Sequence, residues 1–426
     1  MRYAFVAAFA ACIGLASAPA LAGGYDHDDH GRGHDDRDHG GSDRGDPSIT
    51  LGIRPMFLVS GMDDSPLKQK LLKCSDDLVR RTRFSIAHRG APLEVPEHTR
   101  EAYEAGARMG AGIVECDVTF TKDGGLVCRH DECDLHTTTN IVNTPLNAKC
   151  STPWSGANSG PRCCASDLTL GEFKSLKGKM DASVPSASTA AGYLGGTATW
   201  RTDLYNGRGT LLTLKESIAL NKKLGVGHTP ELKAGNPTRV NAVFGSQARY
   251  AQAMIDEFKR AGVDPKDVWA QSFNLDDVLY WIRNEPRFGR QAVYLDDVDP
   301  SVGIPRLTVA ELANLRKNNV RIFAPPIPAL LAVDDSTNTL VPSQYARDIK
   351  SAGLDIITWS FERADLRRGA AFGGFYAAYD PEGKVVKKDS DMYLALDALA
   401  RDVKVIGVFS DWPATVSYYA SCMGLE

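Results

Sequence analysis

Glu115 and Asp117 stand two apart in the run "GIVECDVTFTKDGGLVCRHD" at residues 112–131, and His130 ends the second apolar run within it. Carboxylates and an imidazole in segments that otherwise read as buried strands need a reason, because a buried charge is costly unless it is paired. Strand side chains alternate faces, so Ile113, Glu115 and Asp117 share one side, and Val114, Cys116 and Val118 share the other. The same parity groups Leu126, Cys128 and His130, then Ile86 and His88, then Thr229, Glu231 and Lys233. In each run the polar member lies at the C-terminal end.

Three carboxylates gathered in one place (Glu115, Asp117 and Glu231) would repel one another and resist full ionisation. A divalent cation removes that difficulty, and an all-oxygen ligand set selects a hard ion, Ca²⁺ or Mg²⁺. Two imidazoles beside it, His88 and His130, form an acid and base pair suited to neutral pH. Arg89 and Lys233 add positive charge, and the planar fork of arginine matches phosphate oxygens. Such a set describes a site for cleaving a phosphate ester. Two other readings compete: an ion-pair network of Glu115 and Asp117 with Arg89 and Lys233, and a softer zinc site at Cys128, His130 and Cys133.

The elements that must position these groups alternate along the chain. Short β-branched runs recur from "FSIAH" at 84 to "VKVIGVFS" at 403, with helical patterns such as "TVAELANLRKNN" between them. Repeated strand and helix predict a parallel sheet with helices outside it. Eight or nine units over the length fit a closed (β/α)8 barrel with long loop insertions at 132–209 and 362–390; a doubly wound open sheet is the alternative. A barrel gathers the C-terminal ends of its strands around one mouth, which is where the polar residues fall. One joint breaks the rhythm: the few residues around Lys122-Asp123-Gly124-Gly125 are too short for a parallel crossover.

The 426 residues are 43% hydrophobic and 24% charged, with a formal charge of −4. That balance fits a globular protein and predicts no general attraction to nucleic acid. Residues 1–22, "MRYAFVAAFAACIGLASAPALA", read as a signal peptide with a small-residue cleavage site, which implies export to a periplasmic or extracellular space. No later stretch predicts a transmembrane segment. Residues 23–47 carry His27, His30, His34 and His39 but almost nothing apolar, and read as a disordered spacer. The domain then runs from 48 to 426. Export permits disulfides among the eight remaining cysteines, and Cys133, Cys150, Cys163 and Cys164 crowd one region whose pairing the sequence leaves open.

"HRGAPLEVPEHT" at 88–99 and the 112–131 block resemble the HRG…PENT and E-x-D…T-K-D-G…H-D motifs of glycerophosphodiester phosphodiesterases, in the phospholipase-C-like phosphodiesterase superfamily. "PELK", "QSF", "ITWS" and "FSDWP" follow in the family's order, so the resemblance spans residues 84–415. It implies a (β/α)8 barrel that uses a divalent metal to hydrolyse glycerophosphodiesters to glycerol 3-phosphate and an alcohol. By motif position His88 and His130 would be catalytic, and Glu115, Asp117 and Glu231 would hold the metal. Arg89 and Lys233 would hold phosphate, with Phe273 and Trp359 lining the pocket. Glu97 would bind metal or brace His88. His98 departs from the pattern, standing where the family has Asn. The insertion at 132–209 opens the alternative of a lipid substrate, as in a lysophospholipase D or sphingomyelinase-like enzyme. A non-catalytic envelope-binding protein on the same scaffold would be expected to have lost some of these residues.

Overall fold

The computed structural model describes residues 46, 48–77, 79–299, 304–369 and 372–426, so the expected signal peptide and spacer lie outside the described residues. Nine strands position the site: β1 Thr82–Ala87, β2 Ala111–Phe120, β3 Leu126–Cys128, β4 Gly227–Leu232, β5 Gln271–Ser272, β6 Val293–Leu295, β7 Ile322–Ala324, β8 Asp355–Phe361 and β9 Gly407–Ser410. All but β3 are parallel and close in the order β1-β2-β4-β5-β6-β7-β8-β9, with β9 returning to β1. This is an eight-stranded (β/α)8 barrel, and the open-sheet alternative is excluded by the β1–β9 pairing.

The outer helices include α1 Arg100–Arg108, α2 Leu214–Leu224, α3 Gln247–Arg260, α4 Leu275–Asn284, α5 Val309–Lys317, α6 Gln344–Ser351, α7 Met392–Asp397 and, after the last strand, α8 Pro413–Met423. Their starts are written locally. Thr213 before α2 and Thr308 before α5 each accept from the third helical N–H, while Glu216 and Glu311 reach back to close the capping box. The helices bury Tyr250, Met254 and Trp281 against the outward face of the sheet, where Val114, Cys116 and Val118 also lie. The barrel interior is a separate cluster of Ile86, Ile113, Val293, Leu295, Ile322, Ala324, Ile357 and Phe409. Strand parity therefore sorts β1 and β2 as expected, with Ile86 and Ile113 inside.

Parity fails for the third run. β3 pairs antiparallel with β2 (Val118 opposite Cys128) and is a hairpin arm outside the barrel, which accounts for the short joint at 122–125. Leu126 and Cys128 face the outer core, and Cys128 is bonded to Cys116. His130 reaches the mouth because the chain turns after Cys128, where the Arg129 N–H donates to the Asp117 carbonyl at 2.7 Å. The softer zinc reading falls with this, since Cys133 is also oxidised, to Cys164.

The insertion at 132–209 is ordered and has its own core, with Leu135, Ile141, Leu168, Phe173, Leu176 and Tyr193 buried. Two disulfides staple it, Cys133–Cys164 and Cys150–Cys163. The fourth, Cys74–Cys422, ties the segment before the barrel to the end of α8. Four disulfides belong to an oxidising compartment. No helix among the described residues is long and apolar enough to cross a membrane.

Candidate active site

The turn after β1 delivers His88 and Arg89. Arg89 has φ +55°, and Gly90 follows at φ +99°, where a Cβ would meet the backbone of Ala102 in α1 at 2.6 Å. Only glycine lets the turn pack so closely on α1. That tight turn aims the Arg89 N–H at Glu115 Oε2, 2.9 Å away. Register supplies the rest: in the β2–β4 ladder Asp117 lies beside Glu231 and Glu115 beside Thr229. Glu115, Asp117 and Glu231 are all buried, and each offers an oxygen within 4.8 Å of the others.

Their electrostatics are those of a partly compensated acidic cluster. Burial, with the charges of Asp117 and Glu231, pushes the Glu115 carboxyl well above its ordinary range. Glu231 is pushed up by burial and by Asp117, against the opposing charge of Lys233. Burial acts upward on Asp117 too, yet His98 and Lys233 hold it well below the usual range. Asp117 Oδ1 is buried without a hydrogen-bond partner among the described residues. Two oxygens each about 2.3–2.6 Å from one Ca²⁺ lie at most about 5 Å apart, so the 4.8 Å grouping and the unpartnered oxygen fit a hard cation.

The two basic residues are engaged with these acids. Arg89 Nη1 donates to Glu97 Oε2 at 3.0 Å, and its Nε lies 3.6 Å from Asp117 Oδ2. Lys233 Nζ lies 2.6 Å from Glu231 Oε1 and 5.7 Å from the Phe273 ring centroid. Glu97 thus braces Arg89, not His88. Burial would raise Glu97, but Arg89 and Arg363 hold it well below the ordinary range.

His88 Nδ1 meets Asp411 Oδ1 at 2.5 Å, leaving Nε2 toward the cavity, 3.8 Å from Glu115 Oε2. Burial lowers the His88 pKa against the pull of Asp411. His130 is driven well below its usual value by burial and by the charges of Arg89 and Lys233. Both rings are therefore neutral at rest. Each of the two lines a cavity of about 490 Å³ together with Glu115, Glu231, Lys233 and Gln271. Phe273, Trp359 and Phe375 form its aromatic wall, with neighbouring centroids 5.9 Å apart. Asp117, Glu97 and His98 lie buried behind that surface.

Several contributors escaped the sequence reading. Asp411 shares the inward parity of Phe409, a signal that was available in "FSDWP". Gln271 Nε2 donates to Glu115 Oε1 at 2.9 Å. Asp181 and Arg363 come from the two insertions and had no motif to mark them. His136 is half-buried and lines none of this cavity, while His228 is enclosed beside Asn221 and Phe258 as a core residue.

Residues 88–415 match the family model described as the glycerophosphoryl diester phosphodiesterase family. An "Extracellular protein" of Arthroderma benhamiae is 41% identical over 248 residues, 58% of this chain and the whole of that protein. Glycerophosphodiester phosphodiesterase GDPD6 of Arabidopsis thaliana is 29% identical over 212 residues, 46% of this chain and 52% of that one. A Silicibacter pomeroyi crystal structure named as a glycerophosphoryl diester phosphodiesterase superposes with a TM-score of 0.53 at 18% identity, covering 80% of this chain and 94% of that one, and shares the fold. With the family model spanning every barrel strand after β1 and both histidine motifs, this chain belongs to the glycerophosphoryl diester phosphodiesterase family and is a phosphodiesterase.

Proposed function

We propose that this protein is exported and hydrolyses glycerophosphodiesters to glycerol 3-phosphate and an alcohol. The observation that carries the reading is the convergence of Glu115 and Glu231, with Asp117 grouped just behind them, on a cavity shared by two neutral imidazoles and two basic side chains. Glu115, Asp117 and Glu231 would hold Ca²⁺ or Mg²⁺, which when bound supplies positive charge to the phosphate oxygens. Arg89 and Lys233 bind and orient the phosphate from the side of Glu97 and Phe273. His88 is the base: Asp411 fixes its Nδ1–H tautomer, so Nε2 takes a proton from the attacking water as its oxygen bonds to phosphorus, and Asp411 then stabilises the imidazolium. His130 is the acid. A bound phosphate screens Arg89 and Lys233, the charges that keep this ring neutral, so that it takes up a proton and passes it to the departing alkoxide.

One observation favours a lipid alcohol as a second reading. A groove of about 620 Å³ adjoins the cavity and shares Trp359 and Phe375 with it, lined further by Val298, Pro326, Pro328 and Ala329 beside the charged Asp297, Asp299 and Arg306. An assay of the mature protein against glycerophosphodiesters and lysolipids, with Ca²⁺, Mg²⁺ or chelator, tests both. Cation-dependent release of glycerol 3-phosphate supports the first reading, and preference for lysolipid the second. Turnover unchanged by chelation refutes the metal-dependent mechanism.

A further inference from the structure

The two long insertions meet at the mouth through one ion pair. Arg363 Nη2 donates to Asp181 Oδ2 at 2.5 Å, and the other oxygen, Oδ1, takes Arg201 Nη2 at 2.6 Å. Arg363 also reaches inward, with Nη1 3.5 Å from Asp411 Oδ2 and Nη2 3.9 Å from Glu97 Oε2. Asp181 and Arg363 line the same cavity as His88 and Lys233.

The other two cations of that cavity are more deeply held. Arg89 and Lys233 side chains are each 12% exposed and bonded to the nearly sealed Glu97 and Glu231. Arg363 is 26% exposed and Asp181 21%, so theirs is the most open of the three pairs. A pair partly reached by water costs less to separate than a sealed one, and a phosphate offers guanidinium the same two-oxygen fork that a carboxylate does. Asp181 would keep Arg201 after losing Arg363, and Arg201 Nη2 also donates to the Pro92 carbonyl after β1, so the first insertion stays anchored while Arg363 turns to an anion.

We propose that Arg363 is a third phosphate-binding residue of the active site, and that Asp181 is the counter-ion which the substrate phosphate displaces from it. The proposal rests on reading the cavity as a phosphodiester site. It makes the second insertion part of substrate recognition, and gives the first a restraining role.

Inorganic phosphate, as a competitive inhibitor of glycerophosphodiester turnover in the cation-supplemented full-length mature enzyme, is the probe. R363A should raise both the phosphate inhibition constant and KM about tenfold or more, with a smaller change in kcat. R363K should recover part of that loss, as a point charge without the fork. D181N should lower the inhibition constant, about threefold or more, because the competing carboxylate is gone. The opposite signs are the signature. If D181N and R363A both weaken inhibition, or R363A stays within about twofold of the parent, the pair is only a brace and the proposal is overturned. D181N and R363K decide the matter should R363A not fold. A parent enzyme that neither turns over the diester nor is inhibited by phosphate overturns the phosphodiester reading itself, a result distinct from any ranking of the variants.

Discussion

His98 Nε2 lies 2.7 Å from Asp117 Oδ2, and its Nδ1 lies 3.0 Å from the Tyr103 hydroxyl on α1. The ring is fully buried, and burial lowers its pKa, so it is neutral, donating from Nε2 and accepting the Tyr103 proton at Nδ1. It thereby pins one oxygen of Asp117 and leaves the other, Oδ1, for a cation. H98A should weaken Ca²⁺ or Mg²⁺ binding about 10–100-fold by calorimetry. H98N, whose amide can still donate, should weaken it less. Equal losses would mean that the imidazole has no orienting part.

Removal of either ring should silence the enzyme without unfolding it. H88A and H130A are each expected to lower kcat by about 10²–10⁴-fold, with circular dichroism unchanged. D411N should follow H88A, since the proton on His88 is placed by that carboxylate, and KM should change little. Substantial turnover in H88A would exclude it as the base.

Reduction of Cys116–Cys128 offers a third test. The bond joins β2, which carries Glu115 and Asp117, to the arm that leads into His130. Serine at both positions is expected to cost about 3 kcal/mol of stability, the scale for a loop of about fifteen residues. It should also reduce activity beyond what that loss explains, measured well below the melting temperature.

His228 predicts an acid limit to stability. Burial between Asn221 and Phe258 lowers its pKa to about 4 from the ordinary 6.5. The unfolded chain binds this proton first, so its contribution is complete above the unfolded value and is lost as pH falls from there toward about 4. The loss approaches about 3 kcal/mol. Thermal melting of H228Q should lack this part of the acid dependence.

The barrel and its acidic triad were legible because they depend on period alone: Ile113, Glu115 and Asp117 alternate with Val114, Cys116 and Val118 through an unbroken strand. Parity misled wherever the backbone departs from a strand. Cys128 faces outward while His130 reaches the mouth around a turn, and the β8–β9 register slips between Thr358 and Phe361. Past that slip no count of residues could aim Arg363. Asp181 was hidden for another reason: its insertion folds on a disulfide-stapled core, and which cysteines pair depends on the fold.

Cys74 and Cys422 are 348 residues apart in sequence and joined by a bond, which makes the chain between them a covalent ring. A protease that nicks any single loop within it opens the ring but releases no fragment. For a catalyst exposed to such enzymes, one cut need not be the end of the molecule.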